Sequence, residues 1–201
     1  MRGAFQTDKP LILASASPRR RDFFRALGLD CTLLAADVDE TLRPGELPEA
    51  FVLRLAEAKA RMVAEQEPAA WVMAADTVVD IAGDILGKPV DQAEAMAMLR
   101  RLNGQWHEVW TGVCIGRARD NVWDRRAVKT AVKFAAFSDE VLAAYLATGE
   151  PLDKAGAYGI QGRGAFLVER IDGSWSNVVG LPLAEVVAEL LQLGVISPLA
   201  G

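Results

Sequence analysis

The junction Leu11–Arg21 constrains the fold more than any other stretch, because it reads as a strand that turns at once into a helix. Leu11 to Ala14 is an apolar run of strand type. Ser17 suits the N-cap, and Pro18 suits the first helical position, where its missing N–H costs nothing. A helix that begins on Arg19 sets its open N–H groups and the positive end of its macrodipole beside Arg19, Arg20 and Arg21. Their guanidinium forks match phosphate oxygens, so the junction points to an anion site. Phe23, Phe24 and Leu27 mark the buried stripe, and Arg20 precedes them at helical spacing, so it projects along the apolar face. Arg19 and Arg20 are expected to face a ligand, and Arg21 to face solvent.

With 201 residues, 51% hydrophobic and 24% charged, the chain is long enough to bury a sizeable core, and a single domain over residues 1–201 is expected. The net charge of −5 argues against nucleic acid or a membrane surface as partner, since both call for a broad basic field. An arginine cluster in an acidic chain suits a small anionic ligand instead. Cys31 and Cys114 lie far apart with no metal-ligand spacing, so buried free thiols in a reducing compartment are expected, with no disulfide or zinc site. Arg2, Asp8 and Lys9 precede an apolar run too short for a secretory leader, and no segment approaches a membrane span. A cytoplasmic location is the corresponding expectation.

The remaining pattern alternates elements. Strand character recurs near Cys31 to Leu34, before an acidic loop with Asp37, Asp39 and Glu40. A helix is predicted from about Pro48 to Glu65, with Phe51, Val52, Leu55, Ala56, Met62 and Val63 on its stripe. Trp71 to Ala75 reads as a buried strand, continued by Thr77 to Ile81 as far as a turn at Gly83. Asp91 with Glu94 forms a capping pair for a helix through Leu102 that stops at Asn103 and Gly104. His107 to Ile115 and Val122 to Phe134 suit a long antiparallel pair. A helix opens at Ser138 and stops at Gly149. Strands are predicted near Phe166 to Ile171 and Asn177 to Val179, and a last helix from Pro182 to Leu193. Without strict strand–helix–strand alternation, the expected class is a mixed-sheet α/β fold.

Several charged residues sit where apolar ones belong. Lys59 falls inside the stripe of the long helix, four residues after Leu55, where an unpaired ammonium is costly. It either pairs with a buried carboxylate, snorkels out, or serves an anion site. Asp76 closes the apolar run Trp71–Ala75 ahead of Thr77, Val78 and Val79. A carboxylate at a strand end suits a cation ligand or a general base acting on water. Glu40 and Asp39, with Asp76, would supply an oxygen-rich magnesium site. Lys88 and Lys154 stand in or beside loops. Gly156, Gly159, Gly162 and Gly164 permit close backbone approach, and Gln161 among them offers an amide able to pair with a base edge. His107, the only histidine, has no nucleophile pattern beside it and reads as structural. Several cations, a few carboxylates and a glycine-lined loop together are the inventory for metal-assisted hydrolysis of a phosphoanhydride.

Leu13-Ala-Ser-Ala-Ser-Pro-Arg-Arg20, Ala75-Asp-Thr-Val-Val79, Leu86-Gly-Lys-Pro89, Asp153-Lys-Ala-Gly-Ala-Tyr-Gly-Ile-Gln-Gly162 and Val179-Gly-Leu-Pro182 stand in the order found in the Maf family of nucleoside triphosphate pyrophosphatases, which the chain resembles over nearly its whole length. The resemblance implies an elongated, two-lobed, mixed α/β fold of the inosine-triphosphatase-like (Maf/Ham) type with a central cleft. It also implies cleavage of a nucleoside triphosphate to monophosphate and pyrophosphate with a divalent cation, Mg2+ or Mn2+, and possible homodimerisation. By motif, Asp76 matches the proton acceptor. Ser15, Ser17, Arg19, Arg20, Glu40, Lys59, Lys88 and Lys154 match polar positions of the substrate site, with Glu40 and Asp76 on the cation. Arg19, Thr77 and Gln161 match the branch similar to dTTP/UTP pyrophosphatases; the branch acting on 7-methyl-GTP tends to carry Trp, Gln and Glu there. A neutral Gln161 amide complements a uracil or thymine edge, whereas a glutamate suits a cationic methylated purine. Asn103-Gly104, where relatives usually show Ser-Gly, and Arg21 depart from the pattern. The alternatives are the same chemistry on 7-methyl-GTP or modified nucleotides, and a nucleotide-binding regulator of septum formation with little turnover.

Overall fold

A computed structural model describes residues 3–199. In chain order it contains β1 (Phe5–Thr7), β2 (Leu11–Leu13), α1 (Pro18–Leu27), β3 (Thr32–Leu33), α2 (Pro48–Gln66), β4 (Trp71–Ile81), β5 (Asp84–Leu86), α3 (Gln92–Leu102), β6 (Trp106–Arg117), β7 (Val122–Phe134), α4 (Asp139–Leu146), β8 (Val168–Asp172), α5 (Trp175–Val179), α6 (Leu183–Gln192) and β9 (Ile196–Pro198). The larger sheet runs in the order β3-β2-β4-β6-β7-β8 with β5 on β4, and β1 pairs with β9. β2 is parallel to β3 and β4, while β4–β5 and β7–β8 are antiparallel. The mixed-sheet α/β class expected from the sequence is therefore what the chain adopts.

The chain divides into two compact units. The first takes in the residues through Asp76, Gly112–Ala127, and the chain from Gly180 onward. Here β2 sets the frame: Leu11 pairs with Trp71 and Leu13 with Met73 on one side, and Ile12 with Thr32 on the other. Flanked on both sides, β2 is a short, fully buried apolar strand, as parallel strands usually are. One core joins Leu13, Phe24, Met73, Ile115, Leu181 and Leu190. A second packs Ala56, Ala60 and Val63 of α2 on Ile12, Val72 and Cys114. α2 lies so close to β6 that a Cβ on Gly112 would sit 2.3 Å from the Val52 carbonyl oxygen, which only glycine accommodates.

The second unit comprises Thr77–Thr111 and Val128–Val179. Its core gathers Leu99, Leu102, Phe134, Leu142, Tyr158 and Leu167. α3 starts on the Asp91–Glu94 capping pair read from the sequence: the N-cap Asp91 Oδ1 accepts from Glu94 N at 2.8 Å, and Glu94 Oε2 reaches one residue beyond the cap to accept from Val90 N at 2.7 Å. Its end explains Asn103, whose side chain donates to the Phe137 carbonyl and accepts from Phe137 N, both at 2.9 Å. A serine hydroxyl would need one rotor to do what the amide does with two groups.

The structure corrects some local expectations. Asn177 to Val179 is not a strand but part of α5, because Ser174 Oγ accepts from Asn177 N at 3.3 Å and opens a helical turn against the β-branched preference of Val178 and Val179. Phe166 and Leu167 lie in a 3-10 stretch ahead of β8. Cys31 is half-buried, whereas Cys114 is buried as expected. β1, β5 and β9 are three-residue strands that the hydrophobic pattern did not mark. Among the described residues no helix is long and apolar enough to cross a membrane.

Candidate active site

In the first unit, the functional side chains rest on a strand and two helices; Asp76 stands midway along β4 and not at the strand end expected from the sequence, because Thr77 to Ile81 continue the same strand. Trp71 to Ala75 are all buried in β4, and Asp76 follows with only 9% exposure. α2 brings Lys59 to it: the ammonium stands 2.7 Å from Asp76 Oδ1 and 2.5 Å from Glu40 Oε1. The small residues Ala56 and Ala60 let this face of α2 approach the sheet, so a lysine in the stripe meets a carboxylate rather than hydrocarbon. Burial pushes the Asp76 carboxyl above the ordinary aspartate range. Lys59 and Arg20 oppose that rise, and Glu40 adds to it.

Arg20 does project inward, as its spacing predicted. Its Nε donates to the Gly180 carbonyl and its Nη1 to the Ala75 carbonyl, each at 2.7 Å, with a longer bond from Nη1 to Ser15 Oγ at 3.3 Å. The guanidinium thus ties the start of α1 to the middle of β4 while holding a positive charge near Asp76. Burial lowers its pKa to about 10, with Asp76 the largest opposing influence, so it stays cationic at neutral pH. Ser17 occupies the N-cap position without a side-chain cap bond; its N–H donates to Ser15 Oγ at 3.2 Å. Arg19 is half-buried and Arg21 exposed.

The loop that carries Glu40 is fastened by a clamp that the sequence reading missed. Arg54 of α2 donates to both oxygens of Glu46, at 2.6 and 2.7 Å, and to the Thr41 carbonyl at 3.1 Å. The hydrogen bonds from Arg54 hold the Glu46 carboxyl down to about 2. Glu46 precedes the helix and Arg54 lies within it, so no helical spacing connects them.

Glu40 and Asp76 aim oxygen donors at one point, where the Lys59 ammonium sits. Paired carboxylates suit a hard cation such as Mg2+ or Mn2+, which completes its shell with water and phosphate oxygens. Among the described residues no group of three or more His, Cys, Asp or Glu side chains forms a fuller cage. Glu40 and Asp76 are thus the two side chains that could hold such a cation, and the Lys59 ammonium stands between them.

In the second unit, Thr77 Oγ1 lies 2.9 Å from Thr111 Oγ1, and Thr111 donates to the Asn177 carbonyl at 3.1 Å. Lys154 Nζ donates to the Glu150 carbonyl at 2.7 Å and to Asp153 Oδ1 at 2.5 Å. Lys88 is exposed and Gln161 half-buried. His107 is buried, with Nε2 2.9 Å from the Tyr158 hydroxyl and its ring edge-on to Phe134, which agrees with a structural reading. The glycines at 159, 162 and 164 admit protein rather than leaving open space: a Cβ on Gly164 would stand 2.5 Å from both the Gly159 carbonyl and the Tyr145 hydroxyl. A surface groove of about 470 Å³, lined by Val141, Tyr145, Thr148, Arg163 and Phe166, contains none of the residues singled out from sequence.

Charges of both signs gathered midway along the buried strand β4, on a mixed α/β frame, make an arrangement suited to phosphate-bearing substrates. The chain belongs to the Maf family: the family model described as Maf-like protein matches residues 10–193. It is 51% identical over 193 residues to the dTTP/UTP pyrophosphatase of Desulfotalea psychrophila, covering 96% of this chain and 99% of that one. It is 52% identical over 189 residues to the dTTP/UTP pyrophosphatase of Myxococcus xanthus, covering 94% of each. The corresponding protein of Geobacter sulfurreducens shares 50% over 185 residues, 92% of this chain and 96% of its own.

Proposed function

We propose that this chain hydrolyses dTTP and UTP to the nucleoside monophosphate and pyrophosphate. Identity of 50–52% with relatives bearing that name, across nearly the full chain, supports the substrate class. The observation that carries the chemistry is the buried Asp76 carboxylate held at 2.7 Å by the Lys59 ammonium.

In this reading Asp76 takes the proton from the attacking water. The water oxygen bonds to the α-phosphorus, the α–β bridging P–O bond breaks, and pyrophosphate leaves with that bond's electrons. Burial favours Asp76 as a base, because a raised pKa strengthens proton acceptance, while Lys59 and Arg20 favour the carboxylate form and oppose the rise. Arg19 and the start of α1 bind phosphate oxygens, with Ser15 and Ser17 setting the local turn. Arg20 acts by anchoring that helix and supplying field. Glu40 and Asp76 would hold a divalent cation, which when bound offsets phosphate charge. Lys88 and Lys154 add positive charge for the substrate, and Arg19, Thr77 and Gln161 select the nucleotide. A cytoplasmic location and a homodimeric assembly belong to the same proposal, on family likeness alone.

The experiment is pyrophosphate release from a panel of canonical and modified nucleoside triphosphates with Mg2+, Mn2+ or neither. Metal-dependent turnover led by dTTP and UTP is expected. Turnover led by 7-methyl-GTP would overturn the selectivity, and nucleotide binding without turnover would overturn the activity.

A further inference from the structure

We propose that Glu150 is a positioning residue: its carboxylate sets the shape of the Gly159–Gly164 loop and thereby the presentation of Gln161. The proposal rests on the reading of Gln161 as a base-selecting residue.

Glu150 begins the 3-10 turn Glu150–Asp153 that follows α4. Its Oε1 accepts from the Tyr145 hydroxyl at 3.1 Å and from Gly164 N at 3.0 Å, and its Oε2 accepts from Arg163 N at 3.0 Å. The Tyr145 hydroxyl in turn accepts from Gly159 N at 3.1 Å. One carboxylate therefore pins both ends of the loop, Arg163–Gly164 directly and Gly159 through a single phenol, with Gln161 between them. The chemistry is directional. Every partner of the Glu150 side chain is a donor, and an ionised carboxylate is the one side-chain group that only accepts, with room for all three. Tyr145, buried at 2% exposure, spends its proton on Glu150 and a lone pair on Gly159. Burial pushes its phenol up, so it remains a donor throughout the neutral range.

The glycines complete the device. Gly162 adopts φ +78°, and a Cβ there would lie 3.0 Å from Glu150 Oε2; one on Gly164 would strike the Tyr145 hydroxyl. They are small so that Glu150 and Tyr145 can reach the main chain. Lys154 is held by the Glu150 main-chain carbonyl, which a side-chain substitution preserves.

The test compares kcat and KM for UTP and CTP in the full-length wild type, Glu150→Gln, Tyr145→Phe and Gln161→Ala, with amide hydrogen exchange read at Gly159, Arg163 and Gly164. Glu150→Gln keeps the shape but turns an NH2 toward a donor. It is expected to lower the UTP-over-CTP ratio of kcat/KM about tenfold, roughly the effect of losing one charge-assisted hydrogen bond. The loss should appear mainly in KM, with faster exchange at the three loop amides and unchanged protection in the core. Tyr145→Phe should act in the same direction but less, and it carries the test if Glu150→Gln fails to fold. A ratio shifted by Gln161→Ala but untouched by Glu150→Gln, or by Tyr145→Phe in its place, overturns the positioning role. A ratio untouched by Gln161→Ala overturns the reading of Gln161 beneath it, and the proposal with it.

Discussion

The end of the Trp71–Ala75 run in the first unit and the glycine loop of the second hold their side chains by opposite means. In the first, opposite charges face each other: Lys59 joins Asp76 and Glu40, and Arg20 stands on main-chain carbonyls nearby. In the second, one carboxylate gathers backbone N–H groups and a phenol, and the glycines clear the space. A charge balance sets how readily a proton or phosphate is taken. A backbone clamp sets only where a side chain such as Gln161 sits. Under the proposed function, rate belongs to the first region and selection to the second.

The largest break in that comparison comes from Asp76→Asn. Removing a general base lowers kcat by about 10²–10⁴-fold, and the decrease should be alike for dTTP and UTP while nucleotide binding by calorimetry persists.

His107 extends the contrast, because the second unit buries its imidazole without a counter-charge. Burial lowers its pKa to about 4 from the ordinary 6.5. Between those values the unfolded chain binds a proton that the folded chain refuses, so stability falls as pH drops from 6.5 toward 4. The contribution is about 3 kcal/mol. His107→Phe should flatten that part of the pH dependence of urea unfolding, while the unpaired Tyr158 hydroxyl lowers stability at neutral pH.

Two glycines give the smallest effects and the sharpest contrast. Gly112→Ala pushes against the Val52 carbonyl and lifts the helix that carries Lys59; Gly164→Ala pushes against Gly159 and Tyr145. Each should cost about 1–3 kcal/mol in unfolding free energy. The first should slow all nucleotides together, whereas the second should change their ranking.

What could be read in advance follows the same division. Lys59, Asp76 and Arg20 announce themselves as charges inside apolar patterns, and the mixed α/β class follows from long amphipathic helices interleaved with buried apolar runs. The Glu46–Arg54 and Glu150–Tyr145 clamps leave no such mark, since their partners meet through the chain's path and not through any helical or strand period. α5 runs against its local pattern, because Val178 and Val179 favour strand and the decisive bond is a single serine cap. The three-residue strands β1, β5 and β9 are too short for alternation to register. The glycines from 156 to 164 were legible as points of close approach, but what approaches Gly159, Gly162 and Gly164 is tertiary knowledge.

The most direct test of the division is kcat/KM for dTTP, UTP and CTP measured on Lys59→Met and on Gln161→Ala beside the wild type. The account predicts that Lys59→Met lowers all three by a common factor of about a hundred, in the range of a lost charge-assisted contact to the base and substrate. Gln161→Ala should leave the fastest rate within about tenfold and collapse the preference for dTTP and UTP over CTP. A changed ranking in Lys59→Met, with an unchanged ranking in Gln161→Ala, would contradict it.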